Sequence, residues 1–311
     1  MSLRELVVLG TSSQVPTRHR NHNGYLLRWD DEGFLFDPGE GTQRQMTFAE
    51  VPASAISRVF ITHFHGDHCL GLAGTVQRLS LDRVPRPVTV HYPESGQVYY
   101  ERLRHASIFH DAIEIRSAPV SEQHAGLQPI AETKTYRVFA ARLDHSVPTF
   151  GYRIEERSGR TFLPERLAEL GVQGPHVGEL SRRGEVTIGD RRVTVDEVSV
   201  EREGAAFAFV MDTRPCDNAV ALARGADLLV MEATYTGADA EIAHAHAHST
   251  SVDAANTALR AGSRRLAITH FSQRYVSTDQ HLAEARAIFP ETIAVKDLDR
   301  VGGWARRRAG G

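Results

Sequence analysis

Five short apolar runs in this chain each stop at a residue that can hold a metal ion or move a proton, and that regularity limits the folds open to it. Val59-Phe60-Ile61 leads into Thr62-His63-Phe64-His65-Gly66-Asp67-His68. Val138 to Leu143 leads into Asp144-His145, and Phe207 to Met211 into Asp212. Asp227 to Met231 leads into Glu232, and Leu266 to Thr269 into His270. Runs of this length, rich in β-branched and aromatic residues, read as buried strands. Open α/β sheets gather their sites at one edge, beyond the strand ends. The five endpoints are therefore expected to converge.

The densest endpoint packs three imidazoles and a carboxylate between His63 and His68. These are the ligand types of catalytic zinc sites, which keep a position open for water, and Gly66 lets the loop bend. Two divalent cations held close together need about seven donors and a bridge. His63, His65 and His145 suit one ion, and Asp67, His68 and His270 the other, with Asp212 between them. Such a pair activates water and offsets phosphoryl charge, with Asp67 placed to orient the water or take its proton. Glu232 and His248 make a carboxylate–imidazole pair able to protonate a leaving oxygen.

With 311 residues, 41% hydrophobic and 24% charged, the chain has the balance of a globular protein and the length for one large domain or two smaller ones. Met1 to Gly10 lacks the apolar core of a signal peptide, and no stretch is long enough to span a bilayer. Cys69 and Cys216 are the only cysteines, so no disulfide framework is implied and a reducing cytoplasm fits. Cys69, next to His68, reads as a small buried thiol. The formal charge of −3 counts against a sequence-blind nucleic-acid binder. Lys134 and Lys296 stand alone against 34 arginines, so arginine clusters carry less weight here than usual.

Glu5 to Gly10, Gly24 to Trp29 and Gly33 to Phe36 read as strands joined by Gly and Asn turns. Between the first two lies a polar loop whose Arg18, Arg20 and Asn21 suit phosphate or base-edge contacts. Asp37, amid glycines after the third strand, is as well suited to bracing the neighbouring loop as to binding metal. Helices are expected over Leu70 to Leu81 and Glu94 to Ile108, with strands at Val88 to His91 and Ala112 to Ile115. His91, His105, His110 and His124 stand apart from other ligand types. Glu155 to Arg202, rich in Glu, Arg and Gly, interrupts the α/β rhythm and shows one helical segment, Pro164 to Leu170. It reads as an excursion from the core. Helices are expected again at Asp217 to Arg224 and Asp279 to Phe289. His244 to His248 alternates with alanine like a strand. Thr250 and Asp253 form a capping-box pattern that opens a helix over Val252 to Ala261, which Gly262 stops. His248 thus precedes a helix start, and His244 and His246 are incidental. Arg306 to Gly311 reads as a frayed tail.

The His63 to His68 cluster resembles the signature of the metallo-β-lactamase superfamily, and the remaining motifs resemble its ribonuclease Z family, endonucleases that remove the 3′ trailer from precursor tRNA. The resemblance spans nearly the whole chain. Pro16 to Asn21 is similar to that family's substrate loop, with Arg18 where lysine is usual. Phe36 to Gln43 matches its first motif, whose aspartate is structural. His145, Asp212 and His270 fall where its later ligands lie. Glu232-Ala233-Thr234 matches a motif usually opened by histidine, here Met231, and Met211 stands where glycine is common. His248-Ser249-Thr250 and His270 to Tyr275 also match, with Ser272 in the motif and Arg274 as a phosphate contact. Gly174-Pro175, beside Arg182 and Arg183, resembles the tip of the arm that grips tRNA.

The resemblance implies an αββα sandwich: one domain over residues 1–311, an arm at about 155–202, and a site for two divalent ions, zinc first, at one edge. It implies hydrolysis of precursor tRNA to leave a 3′-hydroxyl, and a homodimer in which each arm serves the other subunit's site. Two other functions stay open. A small-molecule phosphodiesterase or arylsulfatase of the same fold needs the metals but not the arm. A non-catalytic RNA-binding module needs the arm but not the metals.

Overall fold

The computed structural model describes residues 3–303; Met1-Ser2 and the expected frayed tail Arg306 to Gly311 lie outside the described residues. Side-chain alternation builds the architecture. In β1 (Arg4–Gly10) Leu6 and Val8 face one way and Val7 and Leu9 the other. In β2 (Gly24–Trp29) Leu27 opposes Leu26, and in β3 (Glu32–Phe36) Phe34 and Phe36 oppose Leu35. The first of each set enters a core between two sheets, and the second a core beneath helices, so both faces of the sheet are buried.

β4 (Ile56–Phe60), β5 (Val88–Pro93) and β6 (Ile115–Val120) complete this half. β7 (Gln128–Glu132), β8 (Tyr136–Arg142) and β9 (Phe150–Glu156) open the second sheet. Four strands of the excursion follow: β10 (Gly159–Phe162), β11 (Glu185–Ile188), β12 (Arg191–Thr194) and β13 (Ser199–Arg202). β14 (Ala206–Val210), β15 (Leu228–Glu232), β16 (Leu266–Thr269) and β17 (Thr292–Ala294) return to the second sheet, and β18 (Arg300–Gly302) to the first. The sheet orders are β18-β1-β2-β3-β4-β5-β6 and β17-β16-β15-β14-β9-β8-β7. Each sheet is antiparallel through one half and parallel through the other.

Between the sheets the Phe36 ring stacks 4.7 Å from Phe209 and 5.0 Å from Phe60. Each such buried side chain contributes roughly 1.5–3 kcal/mol. On the outer face of the first sheet lie α1 (Thr42–Phe48), α2 (Gly66–Cys69), α3 (Leu72–Leu81) and α4 (Gln97–Arg104), packed through Met46, Leu72, Val76, Leu79 and Tyr100. α5 (Pro164–Glu169), α6 (Pro175–Arg183) and α7 (Val195–Val198) belong to the excursion. α8 (Asp217–Ala223), α10 (Ser251–Ala261) and α11 (Asp279–Ile288) cover the second sheet with Ala219, Leu222, Ala254, Ala258 and Ala285, and α9 (Ala240–Ala245) precedes α10. The architecture is the expected αββα sandwich. α10 opens on the Thr250–Asp253 capping box and closes at Gly262, φ 62°. Among the described residues no helix is long and apolar enough to cross a membrane.

Several local expectations differ from the structure. The strand expected at Ala112 to Ile115 lies later, at β6, and the helix expected from Glu94 shortens to α4. His244 to His248 is the end of α9 and a turn, because alanine alternating with histidine suits a helix as well as a strand. The excursion holds three helices and four strands, where one helix was expected. β10 pairs antiparallel with β13 from Gly159 opposite Arg202 to Phe162 opposite Ser199, so the chain leaves and returns on neighbouring strands. Val172, Leu180, Val186, Val193 and Val198 form its own small core.

Candidate active site

β8, β14, β15 and β16 run the same way in the second sheet, and the residues after them meet those after β4 at one edge of the sandwich. Three residues just past strand ends turn through left-handed backbone: Asp37 and Asp212 at φ 43° and His270 at φ 60°. For non-glycine residues this costs on the order of 1–3 kcal/mol and is found where surrounding structure fixes it. The turn redirects each side chain off its strand and across the edge. Gly39 matters for a different reason: a Cβ there would lie 2.2 Å from the Asp67 carbonyl oxygen, so only glycine lets the two loops touch.

His63, His65, His145 and Asp212 each offer one donor atom, all within 4.8 Å of one another. Nε2 of His63 and Nε2 of His145 lie 2.9 Å and 3.3 Å from Nδ1 of His65. Asp67, His68 and His270 form a second set within the same limit. Asp212 touches both. Its Oδ2 is 3.6 Å from His63, 3.7 Å from His145 and 3.4 Å from His68, and its Oδ1 is 3.2 Å from His270. His248 also joins Asp212 and His270 in a third set, but its Nδ1 is bound to Glu232 at 3.0 Å.

The far nitrogens of four rings are already engaged. Nδ1 of His63 meets the Thr62 hydroxyl at 3.0 Å, and Nδ1 of His68 meets Asp37 at 2.8 Å. Nδ1 of His145 donates to the Ala247 carbonyl at 2.9 Å, and Nδ1 of His270 meets the Thr234 hydroxyl at 2.8 Å. Partners of this kind fix ring orientation and leave Nε2 free to bind a metal.

Burial, and then the charge on His68, holds the His63 pKa well below its usual range; burial, and then His145, lowers that of His65. Both rings are thereby kept neutral, as ligation requires. Burial opposes charge on His68, but Asp212, Asp67 and Asp37 outweigh it and raise its pKa. Burial likewise opposes charge on His248, yet Glu232 and Asp212 lift it to about 9. The chain's fit to cations can be read from two atoms. Oδ1 of Asp212 and Nε2 of His270, 3.2 Å apart, are buried, and neither makes a hydrogen bond. A buried polar atom left in that state is costly unless something binds it, and a cation among these donors would satisfy both. The donor set fits divalent metal.

The cluster floors a cleft of about 720 Å³ lined also by Gln14, Tyr235, His248, Ser272 and Arg274. Of the residues expected to meet substrate, Ser272 and Arg274 reach this cleft. Arg20 instead donates to the Tyr275 carbonyl at 3.0 Å and lies over the Phe271 ring, and Asn21 bonds the Glu40 carbonyl at 2.9 Å. Arg18 is exposed on the loop. Gly174 and Pro175 start α6, where Arg183 pairs with Glu179 at 2.7 Å and Arg182 is exposed. None of these seven lines the cleft. Met211 and Met231 pack into the inter-sheet core and the core under the helices, away from the donors. Asp37 braces Thr62 and His68, one of the two roles the sequence left open. Thr62 and Thr234 were not singled out from the sequence; their one signal is a threonine beside a ligand-type residue at a strand end.

A family model for the metallo-beta-lactamase superfamily matches residues 17–270. The chain is 54% identical over 303 residues to ribonuclease Z of Nocardia farcinica, covering 97% of this chain and 98% of that one. It is 53% identical over 303 residues to ribonuclease Z of Streptomyces coelicolor, with the same coverage of each. The crystal structure of the short form of human tRNase Z superposes with a TM-score of 0.72 at 24% identity, covering 96% of this chain and 98% of that one, which speaks to the fold.

Proposed function

This chain belongs to the ribonuclease Z family of the metallo-beta-lactamase superfamily, and from that premise we propose that it is the endonuclease that removes the 3′ trailer from precursor tRNA and leaves a 3′-hydroxyl on the tRNA. The observation that carries the reading is the convergence of seven donors on one cleft in a chain related to these nucleases along nearly its full length.

His63, His65 and His145 would hold one divalent ion, Asp67, His68 and His270 a second, with Asp212 between. Imidazole-rich donors favour zinc. When bound, such ions lower the pKa of water and offset charge on the phosphoryl oxygens. The chain's own groups do the rest. The Gln14 backbone N–H donates to Oδ2 of Asp67 at 2.7 Å, holding that carboxylate where it can orient water or accept its proton. Glu232, fully buried, accepts 2.5 Å hydrogen bonds from the Thr213 amide and the Thr234 hydroxyl. It anchors Nδ1 of His248, leaving Nε2 to face the cleft. As the water oxygen bonds to phosphorus, the P–O3′ bond breaks. His248 delivers its proton to O3′, and the trailer departs with a 5′-phosphate.

The excursion is the arm, an appendage of one domain; it starts at Gly159 rather than at 155, because Glu155 and Glu156 are held in β9 by pairing with β8 and β14. It contributes no residue to the cleft of its own chain, which supports a homodimer whose arms serve the partner's site. A cytoplasmic location goes with that substrate. Incubating the purified protein with a precursor tRNA that carries a 3′ trailer tests the reading. Release of the trailer with a 5′-phosphate is expected. Hydrolysis of small phosphodiesters with the precursor left uncut would replace it by the small-molecule reading.

A further inference from the structure

Arg274 is the only arginine or lysine lining the catalytic cleft among the described residues, and its position is fixed from several sides. Its guanidinium carbon lies 5.1 Å from the centroid of the Tyr235 ring. Nη1 lies 3.4 Å from Oδ1 of Asp239. Asp239 in turn accepts a hydrogen bond from the Tyr275 hydroxyl, which itself accepts from the Thr236 amide at 3.2 Å. The guanidinium therefore has one face against an aromatic ring, while its side chain remains 43% exposed. A planar cation held this way can stack a second flat ring on its open face.

The chemistry of the cut says which ring. The Tyr235 ring lies 6.2 Å from the His248 imidazole, so the shelf flanks the group that protonates the leaving oxygen. That oxygen is O3′ of the last tRNA nucleotide, whose base hangs from the same ribose. Resting on the endonuclease reading, we propose that Arg274 on Tyr235 is a stacking platform for the base of the nucleotide on the 5′ side of the scissile phosphate. Tyr235 and Asp239 act as positioning residues for the guanidinium. Stacking needs only a flat face, so the platform accepts any base and favours the larger purines. A phosphate contact, in contrast, needs only the charge, which lysine would keep.

The test compares precursor tRNA carrying a normal base at that nucleotide with the same precursor carrying an abasic ribose there. kcat and KM are measured for the wild type, Tyr235→Phe, Tyr235→Leu and Arg274→Lys. Base–aromatic stacking predicts that removing the base raises wild-type KM about 10-fold. Tyr235→Phe should behave like the wild type. Tyr235→Leu and Arg274→Lys should raise KM on the intact precursor more than they lower kcat, and should no longer distinguish intact from abasic. Arg274→Lys, on an exposed side chain, decides the matter where Tyr235→Leu fails to fold. A wild type indifferent to the missing base overturns the platform, as do variants that keep the full base effect. A wild type that cuts neither precursor overturns the endonuclease reading with it, so the two failures are distinguishable.

Discussion

Oδ2 of Asp37 lies 2.8 Å from Nδ1 of His68, and both residues are fully buried. The same carboxylate accepts from the Thr62 amide at 2.7 Å and the Thr62 hydroxyl at 2.8 Å. One aspartate thus sets the tautomer of His68 and ties down the residue before His63. Wild-type protein purified without chelator is expected to hold two metal ions per chain by elemental analysis. Asp37→Asn should weaken one of them by about 10- to 100-fold, the usual cost of losing such a partner. Asp212→Asn, which removes the charge between the two donor sets, should leave at most one ion. An active wild type with a single ion would count against the pair.

The leaving-group test separates proton donation from binding. His248→Ala should retain metal and slow precursor cleavage by on the order of 100- to 10,000-fold. The loss should be much smaller on bis(p-nitrophenyl) phosphate, whose leaving group needs no proton. Glu232→Gln should shift both rates in the same sense, because it removes the charge that holds a proton on His248. Equal losses on the two substrates would argue against the donor role.

Most of the donor set was legible because its geometry is nearly one-dimensional: parallel strands end at one edge, so a residue's place after a strand locates it in space. Asp212 and His270 needed nothing more. The arm was far less legible. Val172, Leu180, Val186 and Val193 meet only after two helices and a hairpin fold back, and no period of 2 or 3.6 links them. β9 was passed over although Phe150, Tyr152 and Ile154 alternate in it. His248 enters the site only because Ala247 turns at φ 59° after α9, and alanine gives no warning of that conformation.

His281 offers a test in the acid range. It is buried between the Phe271 and Tyr275 rings, 5.2 Å and 4.5 Å away, and neither ring nitrogen has a partner. Burial lowers its pKa from 6.5 to about 4. The unfolded chain therefore takes up a proton before the folded one does. This contribution to stability is full above pH 6.5 and is lost as pH falls toward 4. The histidine should remove about 2 kcal/mol of stability between pH 7 and pH 5. His281→Leu removes that titration, so the stability of wild type relative to this variant should fall by that amount in urea melts. A difference independent of pH would show that the ring is protonated freely in the fold.

The arm can be removed where the structure itself closes it. Replacing Leu170 to Glu185 would cut through the arm's small core, taking Val172 and Leu180 and stranding Val186 and Val193. A cleaner deletion replaces Gly159 to Arg202, whose ends are already paired, with a short Gly/Ser linker. Glu156 and Ala205 then stay joined by their backbone hydrogen bond at 2.8 Å, and the second sheet keeps its order. No donor of the metal cluster lies in the deleted segment. Folded RNA is read largely by shape and backbone contacts, which need reach beyond the catalytic edge. The shortened protein should therefore retain its metal content and its hydrolysis of bis(p-nitrophenyl) phosphate. Cleavage of precursor tRNA should fall at least about 100-fold, mainly through KM, and wild-type binding should weaken steeply as salt rises. If the shortened protein cuts the precursor as the wild type does, the arm is not the tRNA grip, and recognition resides in the cleft and its flanking loops.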